Sequence, residues 1–309
     1  MSMSKNMNSS EYIEINDNIF LHIRDWGEGK TIVFIPGWPF GHEMFEYQFT
    51  KLPHHGYRCI GISMRGFGKS SKPWGDYTYD VFADDLQSVL HSLALRNVTL
   101  VGFSMGGAIA LRYMARHKGD RIANLVLCGA AAPYFTKRSG FPFGIEPGVV
   151  ESLIELCYSD RAKLNADFGN NIFRNSNAVS PQLLDWFQSL GMEASPHATA
   201  ACLATLRDSD LHEDIKSVNV PTVLFHGLHD QICPFELAET MTAPTDAMPN
   251  GAESMAAGEE AAGGIRGAKL ICFENSGHAL FYEERDKFNA ELIKFIKRKS
   301  SREKYFFPL

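Results

Sequence analysis

The chain has 309 residues, 45% of them hydrophobic and 21% charged, with a formal net charge of −6. That balance belongs to a globular chain long enough to bury a sizeable core in one large domain or two ordinary ones. With no basic block beyond the short KRKSSREK near the end, it argues against nucleic acid as a partner, since phosphate binding needs a concentrated cationic face. The polar opening MSMSKNMNSS lacks the apolar stretch of a secretory signal. No apolar run approaches the roughly 20 residues that cross a bilayer, so no membrane is expected. The six cysteines (Cys59, Cys128, Cys157, Cys202, Cys233, Cys272) contain no C-x-x-C pair. They read as small buried hydrophobes in a reducing compartment, with a cytoplasmic location expected.

In chain order, a polar tail over 1–10 leads into YIEIND and IFLHIRDWG, joined around Asn16-Asp17-Asn18 as a hairpin. TIVFIPG (31–37) and YRCIGIS (57–63) are continuous apolar runs, as expected of strands covered on both faces. Val81, Phe82, Leu86, Val89, Leu90 and Leu93 form a helical stripe within 77–93. The strand VTLVGF (98–103) is followed by a helix over 105–117, stopped at Gly119. IANLVLCG (122–129), PTVLFHG (221–227) and AKLICFE (268–274) read as further strands, and 284–298 as a last amphipathic helix. Strands alternating with helices predict an α/β fold with a mostly parallel eight-stranded sheet and helices on both faces.

The alternation breaks over 133–218. This stretch holds helical fragments such as SPQLLDWFQSL, where Ser180 can N-cap and Pro181 suits the first turn. It is also rich in aromatics, among them Phe135, Phe143, Phe168, Trp186 and Phe187. It reads as a helical cap insertion, with a minority of these rings lining a substrate pocket alongside Pro39. The Ala/Gly-rich residues 242–267 read as a flexible insertion. The domain plan is therefore a core of 11–132 and 219–298, a cap of 133–218, the insertion over 242–267, and tails over 1–10 and 299–309.

Chemistry concentrates at Gly102-Phe103-Ser104-Met105-Gly106, a G-x-S-x-G pattern between a strand and a helix. A sharp strand-to-helix turn projects the serine and crowds the residues two before and two after it, so those must be small. A serine hydroxyl attacks well only when a histidine takes its proton and a carboxylate orients that histidine. Asp230 and His278 follow two later strands, in the chain order that accompanies this turn. The N–H of Met105, at the start of the helix, and that of Trp38, in the loop PGWPF, are the candidate oxyanion donors. His226 and His229 have metal-like spacing but lie on a loop with no third ligand in view, and Asp246 is the nearest rival to Asp230. No metal or organic cofactor is implied.

These segments resemble the α/β-hydrolase fold, most closely the bacterial aryl esterases and the cofactor-free (non-haem) haloperoxidases or perhydrolases. PGWPF, MRGFGKSSKPWGDYTYDVFADDL, VTLVGFSMGGAIALRYMARH, VLFHGLHDQICPFE and SGHALF carry the resemblance, over about residues 19 to 298. The resemblance implies Ser104 as nucleophile, His278 as base, Asp230 as its orienter, and Trp38 and Met105 as backbone oxyanion donors. It implies a carboxylic ester hydrolase acting on small-molecule ester or acyl substrates. Alternatives are a perhydrolase forming peracids from carboxylic acids and peroxide, a carbon–carbon bond hydrolase, and a non-enzymatic binding protein on the same scaffold. A proline at the position of Pro39 goes with perhydrolysis in that family, where its fixed φ would reshape the loop. The family allows homo-oligomers. The chain departs from it at Pro36, where a histidine is usual, in the length of 242–267, and in the tail YFFPL.

Overall fold

Each apolar run read as a strand forms one. The computed structural model describes residues 11–16, 18–242 and 263–302, with side chains described through Lys297. The strands are β1 (Tyr12–Asn16), β2 (Ile19–Trp26), β3 (Lys30–Ile35), β4 (Tyr57–Ile62), β5 (Val98–Phe103), β6 (Ile122–Cys128), β7 (Thr222–Gly227) and β8 (Lys269–Phe273). They lie in one eight-stranded sheet in the order β1-β2-β4-β3-β5-β6-β7-β8. β1 and β2 form the antiparallel hairpin, and β2 joins β4 antiparallel. From β4 to β8 every neighbouring pair is parallel.

The helices are α1 (Glu46–Phe49), α2 (Tyr79–Ser92), α3 (Met105–Arg116), α4 (Pro147–Ser159), α5 (Arg161–Asn171), α6 (Pro181–Met192), α7 (Pro196–Asp208), α8 (His212–Lys216), α9 (Phe235–Thr242), α10 (Leu280–Glu283) and α11 (Arg285–Arg302). Strand residues alternate between two cores because successive side chains leave opposite faces. Val33 and Ile35 of β3 pack with α2 and α3 through Phe82, Leu86 and Ile109. Ile32 and Phe34 pack on the other face with Phe288, Leu292 and Ile296 of α11. Covering both faces is why these strands are apolar without interruption.

Between β6 and β7 lie α4 to α8, the stretch read as an insertion. Its helices start where capping chemistry is strongest: Ser180 Oγ accepts the Leu183 N–H at 3.2 Å and Asp160 Oδ1 accepts the Lys163 N–H at 3.0 Å. Most of the Ala/Gly-rich stretch, residues 243–262 with Asp246, falls outside the described residues, as do 1–10 and 303–309. The chain on either side of that stretch is closed by a 2.8 Å bond from the Ile265 N–H to the Met241 carbonyl. Among the described residues no helix is long and apolar enough to cross a membrane, and the cysteines are all free thiols.

The strand order positions the site. After β3 the chain moves towards β4, and after β5 it moves the opposite way, towards β6. Such a topological switch opens a crevice outside the carboxyl ends of the two central strands. The loop after β3 and the turn after β5 therefore lie side by side.

Candidate active site

Ser104 sits between β5 and α3 with φ 54° and ψ −119°, a left-handed-side conformation that costs a non-glycine residue energy. Surrounding hydrogen bonds hold it there. Its N–H donates to the Cys128 carbonyl at 2.9 Å, and its carbonyl accepts the N–H groups of Gly107 at 2.9 Å and Ala131 at 3.2 Å. The turn leaves no room for side chains nearby. A Cβ on Gly102 would strike the Gly106 carbonyl and lie 2.8 Å from Gly107 Cα. One on Gly106 would strike the Ile35 carbonyl and lie 2.6 Å from that of Pro36, and one on Gly107 would lie 2.6 Å from Ala130 Cβ.

Asp230 follows β7 and His278 follows β8. Their loops touch backbone to backbone, since a Cβ on Gly227 would collide with the Gly277 carbonyl. The His229 N–H also donates to the Ser276 carbonyl at 3.0 Å. This brings His278 Nδ1 to 2.7 Å from Asp230 Oδ2, with both side chains completely buried. The other carboxylate oxygen, Oδ1, accepts the N–H groups of Ile232 at 2.9 Å and Cys233 at 2.8 Å. Burial opposes ionisation of Asp230, but the facing imidazoles of His278 and His226 outweigh it and hold the carboxyl well below the usual range. His226 Nε2 lies 2.7 Å from the Cys233 carbonyl and 3.4 Å from Asp230 Oδ2, so the H-x-x-H-D segment braces the aspartate.

His278 Nε2 is buried and has no hydrogen-bond partner among the described residues. The ring lies 4.6 Å from that of Phe103, the residue before Ser104. Burial, with the Asp230 carboxylate adding to it, raises the Cys233 thiol well above its ordinary range, while the nearby Ser104 hydroxyl pulls it the other way. Cys233 thus meets Asp230 through its N–H and His226 through its carbonyl, and its thiol lies in the electrostatic neighbourhood of Ser104. The sequence reading passed it over as a core cysteine; its place three residues after Asp230 was the available signal.

The loop after β3 abuts this centre: a Cβ on Gly37 would lie 2.8 Å from Ser104 Cβ. The Trp38–Pro39 peptide is cis, and the Phe40 N–H donates to the Gly37 carbonyl at 2.9 Å. The Trp38 indole is pinned by its Nε1–H to the Thr199 carbonyl of α7 at 3.0 Å. Met105 is the first residue of α3, where a backbone N–H has no partner within the helix.

The aromatics named from the sequence divide into two groups. Phe168 meets Trp38 edge-on at 5.0 Å, Phe187 lies 5.3 Å from Phe40, and Trp186 lies 5.1 Å from Phe187. Pro39 faces α6, its Cγ 3.2 Å from where a Gly191 Cβ would stand. Phe143 belongs to a separate cluster through Phe141, which also meets Tyr134. Phe135 and Phe143 belong to the same hydrophobic core, which also takes in Trp38 and Phe168. Phe40, which the sequence reading did not single out, links the loop to Phe168 and Phe187.

Residues 30–284 match the model of the alpha/beta hydrolase fold family, and the chain belongs to that family. Its relatives include the AB hydrolase superfamily protein YisY of Bacillus subtilis, 43% identical over 92% of this chain and 98% of that one. Another is the non-heme chloroperoxidase CPO-A1 of Kitasatospora aureofaciens, 31% identical over 91% of this chain and 98% of that one. Among solved structures, an esterase from Exiguobacterium antarcticum superposes with a TM-score of 0.83 at 39% identity, over 93% of this chain and 98% of that one. The fold and these relatives mark the protein as a hydrolase-type enzyme with a small-molecule substrate.

Proposed function

We propose that the protein is a serine hydrolase of small carboxylic esters, with Ser104 as nucleophile, His278 as general base and Asp230 as its orienter. One observation carries this reading. A fully buried Asp230–His278 pair leaves His278 Nε2 without a partner beside the ring that precedes a strained serine. In this reading, rotation about the Ser104 Cα–Cβ bond brings the hydroxyl to His278 Nε2. The imidazole takes the proton as Ser104 Oγ attacks the ester carbonyl, and Asp230 stabilises the imidazolium. The N–H groups of Trp38 and Met105 receive the oxyanion. His278 then protonates the leaving alcohol, and water, deprotonated by the same nitrogen, releases the acid.

The helical stretch 133–218 acts as a cap over a core of 11–132 and 219–298, and Pro39, Phe168, Trp186 and Phe187 shape the acyl pocket. Phe135 and Phe143, which share a hydrophobic core with Trp38, contribute to the same pocket. Replacing Ser104 with alanine removes the nucleophile and lowers kcat on an activated aryl ester by several orders of magnitude. Activity within tenfold of the parent would overturn the assignment.

A second reading is favoured by Pro39 beside Trp38 and by the similarity to a chloroperoxidase. Peroxide replaces water at the acyl-enzyme and a peracid leaves. Acetate with hydrogen peroxide should then support bromide oxidation that is lost in Ser104→Ala, and an absence of oxidation would remove this reading.

A further inference from the structure

Behind the loop that carries Trp38, a second constellation of groups has no part in the proposed hydrolysis. His22 lies on β2, and His42 and Glu43 follow the loop at its far end. His22 Nδ1 is 3.5 Å from Glu43 Oε1, and His42 Nε2 is 3.8 Å from the same oxygen. Two imidazole nitrogens and one carboxylate oxygen all lie within 4.8 Å of one another, the only such group of three among the described residues. Both histidines are 98% or more buried, and Glu43 is 18% exposed.

His22 Nδ1, His42 Nε2 and both carboxylate oxygens of Glu43 are buried and have no hydrogen-bond partner among the described residues. Buried polar atoms are expensive to leave unpaired, and three of these, one from each residue, lie close enough together to share a partner.

We propose that His22, His42 and Glu43 bind one divalent transition-metal ion of the zinc class. Two imidazoles with one carboxylate suit that class better than magnesium or calcium, which take oxygen ligands. Zinc–ligand bonds of about 2.0–2.2 Å in a tetrahedron separate the ligand atoms by about 3.4 Å. The observed separations of 3.5 and 3.8 Å from the carboxylate oxygen to the two imidazole nitrogens are close to that, and the two nitrogens lie within 4.8 Å of each other. Three protein ligands leave a fourth position for water on the side where Glu43 reaches solvent.

The surroundings are built to hold the ligands still. His42 Nδ1 lies 2.9 Å from Ser63 Oγ, the outer contact that orients a ligating imidazole, and with its N–H on that side the Nε2 lone pair faces the site. The His22 N–H donates to Ser70 Oγ at 2.8 Å, and the Ser70 hydroxyl donates to the Ser63 carbonyl at 2.6 Å. A Cβ on Gly41 would strike Glu43 Oε2, so glycine there leaves the carboxylate its place. The ion would clamp β2 to the segment four residues beyond Trp38. The site is separate from Ser104, Asp230 and His278, so it stands whether or not the hydrolase reading does.

The test uses the full chain, stripped with a chelator and desalted, then titrated with cobalt(II) and with zinc. The expected result is one ion per chain by calorimetry, visible bands of low-coordinate cobalt that zinc quenches, and a zinc-dependent rise in Tm. Glu43→Gln keeps the side-chain shape at a partly exposed position, and His22→Gln removes an imidazole. Each should weaken zinc at least a hundredfold and abolish the Tm response, while Ser104→Ala binds as the parent does. No stoichiometric binding by the parent chain, or binding unchanged in Glu43→Gln and His22→Gln, would overturn the proposal.

Discussion

Asp230→Asn isolates the orienting role of the carboxylate. The two oxygens of Asp230 have different duties: Oδ1 accepts two backbone N–H groups, at 2.9 and 2.8 Å, and Oδ2 faces His278 Nδ1 at 2.7 Å. An asparagine can keep its carbonyl oxygen where Oδ1 stands, because an NH2 there would face two donors. Its amide nitrogen must then point at His278 Nδ1. That nitrogen becomes an acceptor, the ring proton moves to Nε2, and Nε2 can no longer take the proton of Ser104. The fold is spared because both backbone N–H groups keep their acceptor. Losing the correct tautomer of a catalytic histidine in this way costs about 10⁴-fold in kcat, which at about 1.36 kcal/mol per decade is roughly 5.5 kcal/mol of transition-state stabilisation. The assay is steady-state hydrolysis of an activated aryl ester, with thermal melts to show that the variant is folded. A folded Asp230→Asn enzyme with kcat within tenfold of the parent would refute the tautomer reasoning.

Gly106→Ala forces a methyl against the carbonyls of Ile35 and Pro36, backbone atoms that cannot step aside. We expect about 1–3 kcal/mol of destabilisation, and a fall in kcat because the displaced segment leads into Trp38; unchanged melting and kinetics would count against the tight turn. Asp85→Ala strands Arg65, whose guanidinium grips that buried carboxylate at 2.6 and 2.5 Å. The expected loss is about 3–5 kcal/mol in urea unfolding, and a loss below about 1 kcal/mol, the order of an exposed pair, would contradict it. The depressed pKa of Asp230 also makes a pH prediction. Its contribution to stability is complete above the unfolded carboxylate pKa of about 3.9 and is lost as pH falls towards the lower folded value. The Tm gap between the parent and Asp230→Asn should therefore narrow below about pH 4; a gap that widens on acidification would reverse the sign.

The turn around Ser104 was legible because its requirements are local. Gly102, Gly106 and Gly107 stand within five residues of the serine, and each fills a place where a Cβ would collide. The boundaries of β5 and α3 were legible for the same reason, since burial on both faces and helix-forming residues are properties of contiguous chain. Asp230 and His278 could be named because each follows a readable strand. Their 2.7 Å approach could not be read, because it depends on two loops meeting at Gly227 and Gly277, residues fifty positions apart in the numbering.

By itself, then, the sequence determined the alternation of strands and helices, the helical stretch between β6 and β7, and the residue types here proposed for acyl transfer. Tertiary structure alone decided which distant groups share a space. It placed Cys233 against Asp230 and His226, Phe168 and Phe187 beside the Trp38 loop with Phe143 edge-on to Phe141 instead, and His22 opposite His42 and Glu43. The physical reason is range. Propensity, capping and periodicity act over a few residues, whereas these contacts exist only once the sheet has set the order and register of its strands.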